Sequence, residues 1–167
     1  MAPPEKAFFK TLQPKTREAI RLHREMRRKR NTPSFRYQNL PDTDRLRYEL
    51  VTWKNFTAYL DLFQNDPNPF VDEHFKTRPK LERYIAHLLE YSRYSFKHGG
   101  CDWLLRLKTD GTPIGVLHVY DLNWEFIDGK FFPCMVGYAL GEAFRKQGFA
   151  YEAASHLLNQ IPVLFQR

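Results

Sequence analysis

A chain of 167 residues, 43% hydrophobic and 16% aromatic, is long enough for one domain with a real core. The net charge of +7 belongs wholly to residues 1–50, which hold 13 Lys/Arg against 6 Asp/Glu, while residues 51–167 hold 13 of each; a basic coat for nucleic acid over the whole surface is thereby excluded. No apolar run approaches the ~20 residues of a membrane helix, and the first residues lack the basic-then-apolar order of a secretory signal.

Residues 1–14 contain three prolines and read as a loose lead-in. Residues 15–30 contain eight Lys/Arg, with Ala19, Ile20, Leu22 and Met26 as a thin apolar stripe, which predicts an amphipathic basic helix. Such a helix is either solvated and docked by its stripe or a contact for RNA, a ribosomal surface or an acidic partner. Asn31-Thr32-Pro33-Ser34 and Asn39-Leu40-Pro41-Asp42 are turn-rich and predict a linker. The expected division is a basic extension over residues 1–42 and a compact domain over 43–167.

Leu46 to Val51 reads as a strand with partial alternation. A helix carrying Phe56, Tyr59, Leu60 and Phe63 follows, ended by Asp66-Pro67-Asn68-Pro69. A second helix, about 79–97, places Leu81, Tyr84, Ile85, Leu88 and Leu89 on one face and closes at His98-Gly99-Gly100. Trp103 to Leu107 is expected to pair with Ile114 to Leu122 across the Asp110-Gly111 turn. That second strand runs to about Phe126 and turns at Asp128-Gly129 into Phe131 to Leu140. The result is an antiparallel meander. A last helix is expected from Gly148 to about Gln160, with Pro162 unsettling its end.

Between that meander and the last helix lies Arg145-Lys146-Gln147-Gly148-Phe149-Ala150. A glycine loop entering a helix suits an anion, because the first N–H groups of the helix point outward and its dipole is positive there. Gly148 lets a phosphate approach the backbone, and Arg145 and Lys146 add mobile charge. The loop is read as a pyrophosphate site.

Strand, two helices, three-strand meander, then R-x-x-G-x-A opening a helix: this order resembles the GNAT acetyltransferase superfamily, and within it the ribosomal-protein N-terminal acetyltransferases. Thr43-Asp44-Arg45-Leu46 is similar to that branch's T-[DE]-R-L, and Ile114-Gly115 to its I-G. Val136-Gly137-Tyr138-Ala139-Leu140-Gly141 and Phe144 to Ala150 are similar to its G-Y-x-L and [YF]-R-x-x-G-[YF]-A. The resemblance covers about residues 43–165. It implies an α/β (α+β) fold, a mixed sheet with an antiparallel meander and flanking helices, and direct transfer of acetyl from acetyl-CoA to a primary amine.

The resemblance further places the pyrophosphate on the amides of Arg145, Lys146, Gln147, Gly148, Phe149 and Ala150. It runs the pantetheine arm along Tyr138, Ala139 and Leu140, with a backbone N–H there polarising the thioester carbonyl. The branch often has Glu where this chain has Met135. The family fold continues beyond the equivalent of Arg167 with a further strand, helix and hairpin, so the second wall of the cleft and the thiolate-protonating tyrosine are expected outside this chain. An exposed sheet edge then predicts a homodimer, strand exchange or a masking N-terminal segment. A truncated or degenerate binding module without catalysis stands as the alternative.

His118, Tyr120 and Glu125 fall on the second meander strand as candidate acceptor-side groups, His118 and Tyr120 on one face by the period of two; each reads more readily as structural or solvent-facing than as a base. Asp66, Asp72 and Glu73 could attract a cationic amine. Tyr84, Tyr91 and Tyr94 read as core or rim. Cys101 and Cys134 have neither metal-ligand nor redox spacing, so free thiols in a cytoplasmic protein are expected, with no metal and no membrane.

Overall fold

The Asp110-Gly111 turn sets the middle of the sheet. Asp110 Oδ1 accepts the Thr112 N–H at 2.9 Å, and the Leu107 N–H reaches the Thr112 carbonyl at 2.9 Å. In the computed structural model β1 is Leu46–Leu50, and this turn joins β2 (Gly100–Leu107) to β3 (Pro113–Tyr120). A short hairpin of β4 (Glu125–Ile127) and β5 (Lys130–Phe132) precedes β6 (Met135–Leu140). The main sheet is four-stranded and antiparallel, in the order β1-β2-β3-β6. The structure describes residues 36–92, 99–120, 125–127, 130–132 and 134–164, with residues 17, 18 and 21. The expected basic helix over 15–30 otherwise lies outside them.

Side chains alternate between two cores, as the strand period requires. Cys101, Trp103, Leu105, Leu117 and Val119 face α3 (Phe149–Leu164), which buries Phe149, Ala153, Leu157 and Leu164. Leu104 and Val116 face α1 (Ala58–Phe63) and α2 (Arg78–Ala86), packed with Tyr59, Phe63, Phe75, Leu81 and Ile85. Asp102, flanked by Cys101 and Trp103 of the first core, therefore points to the α1/α2 side.

Four expectations shift. The meander is not continuous: Tyr120 pairs with Met135 but Glu125 pairs with Phe132, so the two flanks differ in length and β4–β5 forms its own two-stranded sheet. The second helix is α-helical only to Ala86 and continues as a π-helical turn, His87–Tyr91; its last expected residues and Tyr94 lie outside the described residues. Helix α3 runs through Pro162 to Leu164. The missing N–H of Pro162 is offset there by burial of Leu164, whose carbonyl accepts the Arg36 N–H at 2.9 Å.

The stretch Asn39–Asp42, expected as a linker, is packed onto the domain. Leu40 is buried and bridges to Tyr48, Asn39 Oδ1 accepts the Leu50 N–H at 2.8 Å, and Trp103 Nε1 donates to the Gln38 carbonyl at 2.8 Å. These residues cover the β1 side of the sheet. Among the described residues β6 forms its opposite edge, and no described helix is long and apolar enough to cross a membrane.

Candidate functional site

The loop between β6 and α3 takes its shape from two left-handed residues, Lys146 at φ +60° and Gly148 at φ +83°. Only glycine adopts that region without strain, and Lys146 holds it one residue after the extended Arg145. The first-turn amides of the 16-residue α3 follow at once, and a helix start of this kind favours an anion. Lys146 and Gln147 are exposed, Phe149 is buried, and Ala150 is half-buried. Gln147 Nε2 caps the Ala143 carbonyl at 2.8 Å.

Arg145 is not the mobile charge expected of it. Its guanidinium is ion-paired with Asp66, and its Nε donates to the Leu140 carbonyl at 3.1 Å. Asp66, expected among groups that attract an amine, is thus buried and committed to Arg145, and its other oxygen accepts the Asn68 N–H. Glu73 is paired with Lys76 and Lys80. Of those three carboxylates only Asp72 lines the cavity described below, and it is held by the backbone N–H and Nδ1 of His74 at 2.8 and 2.7 Å.

The Thr43-Asp44-Arg45-Leu46 motif has a local cause. Thr43 Oγ1 and the Arg45 Nε donate to the two oxygens of Glu152 at 2.5 and 2.7 Å, and Arg45 Nη1 donates to the Gln147 carbonyl at 3.0 Å. The same guanidinium lies 4.4 Å above the Phe149 ring. Glu152 in the first turn of α3 would repel an anion there, and Arg45 offsets its charge.

Burial pushes the Glu152 carboxyl up, but the bonds from Thr43 and Arg45 outweigh it and leave its pKa below the ordinary value. A lowered folded-state pKa adds stability above the unfolded value and loses it as pH falls through the folded one. Glu152→Gln is therefore expected to lower the urea midpoint at pH 7. The difference from the parent should shrink as pH drops below about 4.3; a constant difference down to pH 2 would refute this origin.

On the α1/α2 side, β2, β3 and β6 present one cross-strand row: Asp102 opposite His118, and His118 opposite Gly137. The row lies along a cavity of about 490 Å³, walled by Phe70, Phe75, Tyr84 and Tyr120 and reaching Tyr138 and Ala139. Asp102 is 1% exposed. Both Tyr59 and Tyr84 donate their hydroxyls to its Oδ2, Tyr84 at 2.7 Å. Burial first, and then the Asp102 charge, push both phenols well above their ordinary pKa, so they remain donors at any physiological pH.

His118 Nδ1 stands 3.0 Å from Asp102 Oδ1. Its N–H is not aligned on that oxygen, and it is the single buried side-chain polar atom without a hydrogen bond among the described residues. The ring stacks on Phe75, centroids 5.7 Å apart at 25°.

The structure thus brings His118, Tyr120 and Tyr138 to one cavity, with Ala139 half-buried beside it and Leu140 buried at the strand end. Glu125 pairs on β4 with Phe132, away from the main sheet; its side chain lies outside the described residues. Tyr84, read as core or rim, is a hydrogen-bonding partner of Asp102, and Tyr91 is half-buried. Asp102 was missed. Its signal was an Asp beside a run of strand residues, but counting outward from Asp110-Gly111 sets it opposite Val119; the register shift between Leu105 and Arg106 brings it opposite His118. Cys134 is half-buried and its thiol is pushed up to about 11 by burial, no nucleophile at neutral pH. Cys101 is buried, and no group of metal-ligating residues occurs among the described residues.

Two solved structures share the fold, and a third also matches. A putative GNAT-family acetyltransferase from Bordetella pertussis matches at 18% identity and TM-score 0.54, covering 75% of this chain and 73% of its own. The ribosomal-protein-S5-alanine acetyltransferase from Vibrio fischeri matches at 14% identity and TM-score 0.53, covering 72% and 66%. An acetyltransferase from Agrobacterium tumefaciens is 24% identical with TM-score 0.49, covering 78% and 70%. This chain thus spans just under two thirds of the Vibrio protein. No curated protein sequence matches significantly. The family model of the acetyltransferase (GNAT) domain matches residues 45–165, nearly all of the described sheet and helices. The chain belongs to the GNAT acetyltransferase domain family.

Proposed function

We propose that this protein is an acetyl-CoA-dependent N-acetyltransferase acting directly on a primary amine, in the branch of the ribosomal-protein N-terminal acetyltransferases. The observation that carries this is a single strand, β6, that borders the Asp102–His118 cavity at Gly137 to Ala139 and then feeds the Arg145–Gly148 loop. The amides of Lys146 to Ala150 would hold the pyrophosphate, and Tyr138 to Leu140 would align the pantetheine arm as an added strand. The left-handed loop and the room beside Gly137, where a Cβ would meet only side-chain atoms at 3.5 Å or more, fit that ligand. Bound acetyl-CoA supplies the activated acetyl group, and the chain supplies position and electrostatics.

Calorimetric titration with acetyl-CoA tests the reading, with saturable binding as the expected result. No heat of binding at millimolar cofactor would sink it. The outer edge of β6, with exposed Tyr138 and Met135, favours a second reading, pairing with another copy of the chain. The two uses compete. In sedimentation, acetyl-CoA should then shift a dimer toward monomer, and a monomer at all concentrations removes this second reading.

A further inference from the structure

The geometry points to Asp102 and His118 as the base that deprotonates a primary ammonium acceptor, with Tyr59 and Tyr84 as positioning residues for Asp102; this rests on the acetyl-transfer reading above. The cavity lining carries two carboxylates, Asp72 and Asp102, and neither Lys nor Arg among the described residues. Aromatic walls from Phe70, Phe75 and Tyr84 add faces on which a cation settles. Such a pocket selects an ammonium ion and disfavours acceptors that carry a carboxylate near the amine. An ammonium nitrogen has no lone pair, so binding it well is useless unless a group beside it removes a proton.

His118 is built for that step. Asp102 spends Oδ2 on two phenols and turns Oδ1 to Nδ1, which leaves Nε2 as the nitrogen for the acceptor. Phe75 holds one face of the ring, and its Cδ2 edge lies toward Gly137 on β6. The pair therefore stands beside the strand where the thioester would lie. Nδ1 lies at hydrogen-bond distance from Asp102 Oδ1 without the alignment of a hydrogen bond, and catalytic contacts commonly tighten on substrate binding. The titratable groups facing the same space are Asp72, Tyr84, His87, Asp102, Tyr120 and Tyr138.

In the step, the ammonium N–H bond breaks and its proton goes to His118 Nε2. The freed amine attacks the thioester carbonyl; the C–N bond forms and the C–S bond breaks. CoA leaves as thiol with the second amine proton, and His118 returns its proton to solvent.

The test uses the full chain, acetyl-CoA, and n-butylamine, phenethylamine and an alanine-initiated pentapeptide as acceptors, with a γ-aminobutyrate control. His118→Ala is expected to lower kcat by ~10²- to 10⁴-fold with the calorimetric affinity for acetyl-CoA unchanged. Its residual rate should climb about tenfold per pH unit, as the solution deprotonates the amine, and added imidazole should restore part of it. A separate readout needs no turnover: ¹⁵N NMR of the unliganded protein should show His118 as the Nδ1–H tautomer, moving to Nε2–H in Asp102→Asn.

Wild-type kcat and an unchanged pH profile in His118→Ala, or a tautomer indifferent to Asp102→Asn, overturns the proposal. So does intact acetyl-CoA binding without transfer to any of the three amines, which spares the cofactor reading. Absence of acetyl-CoA binding instead removes that reading and the base with it. Should Asp102→Asn fail to fold, the His118→Ala rate and pH profile decide alone.

Discussion

Arg145→Ala is expected to cost about 3 kcal/mol of folding stability, the lower end of the range for stripping one partner from a buried ion pair. The lower end applies because the two sides are unequal: the Asp66 side chain is 1% exposed and that of Arg145 26%. With Arg145 removed, the Asp66 carboxylate keeps, among the described residues, only the Asn68 N–H, and the Leu140 carbonyl loses the Arg145 Nε donor. The pair ties the exit of α1 to the loop before α3, two segments 79 residues apart. Removing both charges should cost much less than removing one, so Asp66→Asn combined with Arg145→Ala should regain a large part of the loss in urea melts. Unchanged stability in Arg145→Ala, with weakened acetyl-CoA binding, would instead make Arg145 a phosphate-binding side chain and refute the structural assignment.

That pair also shows where reading the chain alone reaches its limit. Local chemistry was legible: the Asp110-Gly111 hairpin, the glycine turn at Gly148 ahead of the last helix, and the apolar periodicity of the second helix all rest on neighbours within a few residues. The long-range pairings were not. Thr43 and Arg45 were recognised as a motif, yet their reason is Glu152, more than a hundred residues on. Arg145 looked like free charge because nothing near it in sequence is acidic except Glu142, which contributes a backbone carbonyl.

Asp102 falls outside the strand read from the sequence because that strand starts at Trp103, three residues after its observed start at Gly100. One residue matters in a strand because it decides the face, and the face decides whether an Asp meets α3 or the His118 cavity. Helical spacing reads Tyr84 as core or rim. The spacing correctly turned its ring inward but could not show where its hydroxyl would end. Continuity through Pro162 failed for a related reason: the local rule that proline ends a helix is overridden when the turn beyond it is anchored, here by buried Leu164 and the Arg36 N–H.

The sharpest separation of fold from site comes from two glycines on neighbouring strands, Gly115 and Gly137. A Cβ on Gly115 would stand 2.4 Å from the Ala139 carbonyl oxygen and 2.6 Å from Leu140 Cδ2. The first of these is backbone of the paired strand and cannot yield without breaking the β3–β6 ladder. Gly115→Ala is therefore expected to cost about 3 kcal/mol or more, the upper end for overpacking, read as a drop in Tm and in the urea midpoint. A Cβ on Gly137 would meet only Tyr120 Cε1 at 3.5 Å and His118 Cδ2 at 3.6 Å, ordinary contacts. The fold should tolerate that methyl, or gain up to about 1 kcal/mol from a less flexible unfolded chain. The same methyl would occupy the space between His118 and the strand proposed to align the thioester. Gly137→Ala should hold its Tm while acetyl transfer falls by ~10²-fold, the scale set by a reactant displaced by about 1 Å. Full activity in Gly137→Ala would move the acetyl group away from this side of β6, and with it the claim that His118 stands beside the reacting carbon.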